Sequence, residues 1–188
     1  MTVLGLPRGG VPVAGEVARV LEAPLDVVVV RKLGVPGFEE LAMGAVGSGG
    51  VRILNSDVIQ RHKVSAVAVE AVAAREWREL ERREAMYRGD RLEPLLVGRT
   101  VILVDDGFAT GATMRTAIET VRSRSADRVV TAVPVGAREI CEEIGQVADE
   151  VVCAVTPEVF EAVGLWYDDF RATSDDEVVA TLTAHWGG

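Results

Sequence analysis

Residues 25–30, LDVVVV, are apolar apart from Asp26 and end in four consecutive valines, a run that few folds can accommodate. A strand with one wet face alternates apolar and polar side chains, so a continuous apolar strand implies cover on both faces. TVLGL (2–6), TVILV (100–104), RVVTAVP (128–134) and EVVCAV (150–155) read as further strands. Helical spacing separates them. Val13, Val17, Val20 and Leu21 share one helix face. The longest helix is expected over 64–87, with Val69, Ala73, Trp77 and Leu80 turned inward and a Glu/Arg-rich side turned to water. Shorter helices are expected near 112–123, 137–144 and 174–184, and AMGAV and VRIL flank a Gly-rich turn as a hairpin. Strands alternating with helices predict an α/β fold: a mostly parallel central sheet with helices on both faces, as a single domain over residues 1–188.

Composition narrows the function classes. A net charge of −9 argues against a nucleic-acid groove, which needs a basic face. The N-terminus has no basic segment leading into an apolar run, and no apolar stretch approaches the ~20 residues of a membrane span. The expectation is a cytoplasmic chain that binds neither nucleic acid nor membrane. Cys141 and Cys153 are too few and too far apart in sequence for a disulfide framework or a zinc site, and read as reduced core thiols. His62 and His185 have no recognisable nucleophile beside them.

In such a sheet, ligands gather at the carboxyl ends of the strands. The most telling stretch there is VILVDDGFATGATM (101–114). Asp105 and Asp106 end a strand, and Ala109, Thr110, Gly111, Ala112 and Thr113 lead into a helix. Backbone N–H groups at a helix start, beside a glycine, suit a phosphate, and the threonines add hydroxyl donors. The paired carboxylates suit groups that donate hydrogen bonds. A sugar phosphate offers both features a few ångströms apart. Two aspartates capping a helix is the plainer alternative. A receiver-type acid pair would need a lysine on a later strand, and Lys32 and Lys63 both precede this one. No G-x-x-x-x-G-K-[ST] loop is present.

Two more loops reach the same edge. In LPRGG (6–10), Arg8 supplies a cation and Gly9 and Gly10 expose N–H groups, although the stretch alone could be only a turn. In VRKLGVPGFEELAMGAVGSGG (30–50), Arg31 and Lys32 end a strand before residues that break it, an arrangement that an exposed basic tip would also produce. After the last strand, FEAVGLWYDDF (160–170) mixes aromatic, small and acidic residues, with core packing the default for Phe160, Leu165 and Trp166.

The strand, Asp-Asp and ATGAT together resemble the phosphoribosyl diphosphate (PRPP) signature of type I phosphoribosyltransferases, and the resemblance extends from Leu6 to about Phe170. It implies that Asp105 and Asp106 hold the ribose hydroxyls and favour charge developing at the anomeric carbon. It also implies that 109–113 bind the 5′-phosphate and that Arg8, Gly9, Gly10, Arg31 and Lys32 bind the diphosphate. Residues 31–54 would form a flexible β-hairpin flap, and residues 156–170 a hood in which Val163, Leu165, Trp166 and Tyr167 meet the base. Asp168 would lie near Mg²⁺, which is otherwise carried mainly by PRPP. The implied activity moves the phosphoribosyl group to a nitrogenous base, purine-like, with release of diphosphate. A non-catalytic PRPP- or nucleotide-binding regulator is the alternative, and the resemblance leaves a homodimer open. Ala109 stands where 6-oxopurine enzymes carry an aspartate, and VPVGAR (133–138) lacks their lysine, which disfavours hypoxanthine and guanine.

Overall fold

The computed structural model describes residues 1–187. Its centre is a five-stranded parallel sheet in the order β2-β1-β6-β7-β8, built from β1 (Thr2–Gly5), β2 (Leu25–Val27), β6 (Thr100–Val104), β7 (Arg128–Val135) and β8 (Glu150–Val155). Both faces are covered, as the apolar runs require. Val3, Ile102 and Val104 point into one core with α1 (Gly10–Leu21), α3 (Ala66–Arg88) and α6 (Asp175–Trp186). Leu4, Val101 and Leu103 point into the other, against α4 (Ala112–Ser123) and α5 (Arg138–Ile144).

Three sequence expectations are corrected. LDVVVV is not one strand: β2 stops at Val27, and the chain bends at the buried Val28 and Val29 into β3 (Val30–Val35) of a second sheet. Backbone and hydroxyl bonds between Val29 and Ser48 hold that bend. The expected hairpin forms as β4 (Phe38–Gly47) with β5 (Val51–Leu54), and β3 joins it to make a three-stranded antiparallel sheet. Gly34 does not break β3 but lies at a register shift within it. Leu33, Val35, Met43 and Val46 are fully buried, so the base of this sheet belongs to the core, and residues 36–41 form its exposed tip. A short helix, α2 (Ser56–Arg61), follows, capped by Asn55, whose side chain accepts from the Val58 N–H at 3.2 Å.

The second correction concerns α1. It starts at Gly10, so the face against the sheet is Val11, Ala14 and Ala18 and Gly15 lies against α6; Val13 and Val17 pack at the core margin as expected, while Val20 is 69% exposed. Small residues win that face because the helix lies close on β1, where even a methyl on Gly5 would sit 3.0 Å from the Ala14 Cβ. In the third, Leu165 and Trp166 lie in a 3-10 turn (Val163–Trp166) and are 69% and 46% exposed rather than core. The stripe of α3 is as expected: Val69, Ala73 and Leu80 are buried and Trp77 packs against them.

Candidate functional site

The strand register brings the ends of β1 and β6 side by side, since Gly5 pairs with Val104. The loops leaving these two strands must therefore share one space. Gly9 caps α1 and Gly10 is its first residue, preceded by a cis Pro7–Arg8 peptide. A Cβ on Gly9 would sit 1.9 Å from Asp106 Oδ2, and one on Gly10 would sit 2.6 Å from the Val104 carbonyl oxygen. Any side chain at either position would displace the carboxylates, so glycine here is a matter of space.

Asp105 and Asp106 stand where β6 ends. Asp105 Oδ1 accepts the Asp106 N–H at 2.9 Å. Burial, then the charge of Asp106, pushes the Asp105 carboxyl up to about 7, against the pull of that N–H. Burial also raises Asp106, opposed by its own N–H and that of Gly107. No ion pair reaches either carboxylate among the described residues.

Phe108 then turns inward, 1% exposed, and ties the loop to the end of β7: its N–H donates to the Val135 carbonyl at 3.0 Å and its carbonyl accepts the Ala137 N–H at 3.2 Å. This anchor leaves Ala109 and Thr110 exposed. Gly111 caps α4 in the left-handed region (φ +66°), and a Cβ there would also crowd Ile140 at 2.9 Å. At the start of α4 the Ala112 N–H reaches the Thr110 hydroxyl at 3.5 Å and Thr113 is exposed, at a helix end where the dipole favours an anion.

Other expected residues are dispersed. Arg31 donates from Nε and Nη2 to Glu76 Oε2 at 3.0 and 2.7 Å, and Glu76 is 6% exposed on α3. It is thus held by α3, while Lys32 is exposed with no carboxylate partner among the described residues. Val163 packs on Gly107, whose Cβ would meet both valine methyls at 2.7 Å. The Tyr167 hydroxyl donates to the Asp106 carbonyl at 2.6 Å. Burial, then the charges of Asp106 and Asp105, pushes that phenol up to about 12. Asp168 is exposed, and its neighbour Asp169 faces the cleft instead. That cleft, about 700 Å³, runs between Arg8, Gly9 and Asp106 on one side and Tyr167, Phe170 and Arg171 on the other. Sequence inspection missed Gly107, Asp169 and Arg171; the glycine between the acid pair and the buried Phe108 was the available signal.

The remaining titratable candidates lie elsewhere. His62 is exposed and lies tilted against the Phe38 ring, and His185 sits between the Gly15 and Thr181 carbonyls. Cys141 and Cys153 are free and half-buried, and burial, then the neighbouring Cys141, pushes the Cys153 thiol up to about 12, as for an unreactive thiol. No helix of the described residues is long and apolar enough to cross a membrane.

Comparison with known proteins agrees with this arrangement. Residues 1–169 match the family described as the phosphoribosyl transferase domain. Two curated relatives from Mycobacterium tuberculosis, "Putative phosphoribosyl transferase MT0597" of strain CDC 1551 and "Putative phosphoribosyl transferase Rv0571c" of strain H37Rv, are each 54% identical over 182 residues. The match covers 97% of this chain but 41% of theirs, so the chain spans less than half the length of these relatives. The crystal structure of TT1426 from Thermus thermophilus shares 46% identity and superposes with a TM-score of 0.86, over 97% of this chain and 86% of that one. A shared fold, and a family match that takes in both the glycine loop and the acid pair, lead to one assignment: the chain belongs to the phosphoribosyl transferase domain family.

Proposed function

We propose that this chain transfers the 5-phosphoribosyl group of PRPP to a nitrogenous base, purine-like, and releases diphosphate. The observation that carries the proposal is the pair of carboxylates, Asp105 and Asp106, without a cationic partner among the described residues and wedged between a glycine loop and the start of α4. A protein gains nothing in stability from such a pair; a ligand that brings hydroxyls and positive charge does.

The residues divide the ligand between them. The N–H groups and hydroxyls of 109–113 hold the 5′-phosphate, and the carboxylates take the ribose hydroxyls. Arg8, the Gly9 N–H and Lys32 take the diphosphate, whereas the Gly10 N–H already donates to the Leu6 carbonyl at 3.1 Å and Gly10 serves by leaving room. Arg31 is left out of this set, since Glu76 already engages two of its three guanidinium nitrogens, Nε and Nη2. No enzymic nucleophile is needed: the carboxylates stabilise positive charge growing at the anomeric carbon as diphosphate departs, and fixed geometry does the rest.

The donor set fits Mg²⁺, because it is all oxygen and carries uncompensated negative charge. Among the described residues no group of three or more acidic, His or Cys side chains could hold a metal. Asp105 and Asp106 would therefore face an ion carried mainly by the diphosphate of PRPP, with the exposed Asp168, next to Tyr167, as a further carboxylate. When bound, Mg²⁺ neutralises the leaving group.

The test is a panel of nucleobases scored for diphosphate release from PRPP, with Mg²⁺ and with chelator. Release that depends on both a base and Mg²⁺ supports the proposal. PRPP binding with no release for any base would instead favour a regulator on this fold.

A further inference from the structure

We propose that Tyr167 is a positioning residue: its hydroxyl fastens the hood to the peptide joining Asp106 and Gly107, so that the hood and the carboxylate pair move as one unit. Three observations carry this. The phenol donates to the Asp106 carbonyl at 2.6 Å, across 61 residues of sequence. Val163, from the same segment, rests on Gly107, where a Cβ would be 2.7 Å from its methyls. Phe170 packs against Tyr167 in a tilted arrangement, ring centroids 5.1 Å apart, and also fills the space beside Gly164.

The peptide that Tyr167 grips is the one that aims Asp106. Its carbonyl accepts the phenol, and its other end, the Gly107 N–H, is among the groups favouring the charged Asp106 carboxylate. A hydrogen bond at one end of a peptide polarises and orients the other. The hood is otherwise thinly attached: Leu165, Trp166 and Phe170 are all substantially exposed, so little apolar burial holds it. The phenol bond and the Val163 contact therefore account for its register on the site. Tyr167 also lines the cleft beside Asp106, so an acceptor seated there would meet a wall tied to the carboxylates. This role differs from stacking on a base, which uses the ring face and not the hydroxyl. Its catalytic part rests on the phosphoribosyl-transfer proposal, whereas its structural part does not.

Tyr167→Phe keeps the ring and removes only the hydroxyl. Hydrogen exchange followed by mass spectrometry on the full chain should show roughly five- to tenfold faster exchange in two separate segments, 104–109 and 160–170, with β1 and α3 unchanged. Mg²⁺-dependent diphosphate release from PRPP should fall by a similar factor while PRPP affinity, read by calorimetry, stays within about twofold. A merely structural role would lower thermal stability and affinity together. Faster exchange in the hood alone, or in neither segment, overturns the inference. If the unsubstituted protein neither binds nor cleaves PRPP, the transfer proposal fails, and joint or separate loosening of the two segments still decides the tie. Should Tyr167→Phe not fold, Val163→Ala releases the same peptide from the other contact and is read in the same way.

Discussion

Arg88 and Asp106 both carry charge into the protein, one among partners and the other without them. Arg88 is 5% exposed, and every face of its guanidinium is used: Nε donates to Asp26 at 2.8 Å, Nη2 to the Val27 carbonyl at 2.6 Å, and Nη1 to Glu84 and Glu93 at 3.1 Å. Arg124 closes the group by pairing with Glu93 at 3.1 Å. Charge and hydrogen bonding are satisfied within the fold, and the result is a strut joining the end of α3 to β2. At the end of β6 the pattern is inverted. Asp105 and Asp106 adjoin each other, have only backbone donors, and are raised by burial. The difference shows how a structural charge can be told from a functional one: the first is completed by the chain, the second is left for a ligand to complete.

Arg88→Ala gives the largest expected effect. It leaves Asp26 buried without its cation and should cost about 3–5 kcal/mol of stability, measured by denaturant unfolding. A cost near zero would mean that the strut is not what completes Asp26.

Asp105→Asn should act in the opposite direction. Because the folded-state carboxyl titrates near 7, above the ordinary carboxylate range, the folded chain holds a proton that the unfolded chain has already released. Stability in the absence of ligand should therefore fall as pH rises from about 4 to about 7, by at most about 4 kcal/mol. Asp105→Asn removes this slope, so the variant should exceed the parent in melting temperature at pH 8 and match it near pH 4. Equal pH profiles would mean that Asp105 is already compensated.

The smallest effects compare neighbouring cations. Arg31→Ala breaks the pair with Glu76 and should lower stability by about 1–3 kcal/mol with little change in PRPP affinity. Lys32→Ala should leave stability within about 0.5 kcal/mol and weaken PRPP binding, as calorimetry would show. The reverse outcome would return Arg31 to the diphosphate set.

Much of this contrast was legible in the sequence, for definite reasons. Runs such as TVILV fix a doubly covered strand because their period admits nothing else, and Asp-Asp followed by ATGAT marks a strand end leading through a glycine into a helix start. The bend after Val27 was not legible, because four valines have no local signal for leaving a sheet; the bonds from Ser48, 19 residues on, decide it. Nor could sequence show that Arg31 meets Glu76, 45 residues away, or that the Tyr167 hydroxyl reaches a backbone carbonyl. Local chemistry announces loops, while partners brought together by tertiary packing do not announce themselves.

The central claim is that Asp105 and Asp106 are kept unpaired to favour positive charge on a ribosyl group. The most direct test compares the rate of Mg²⁺-dependent diphosphate release from PRPP with PRPP affinity in the double variant Asp105→Asn, Asp106→Asn. Loss of this electrostatic contact should slow release roughly a hundredfold, about 3 kcal/mol of barrier, while PRPP binds as well as before or better. Equal losses in rate and affinity would contradict the claim and reduce the pair to anchors for the ribose hydroxyls.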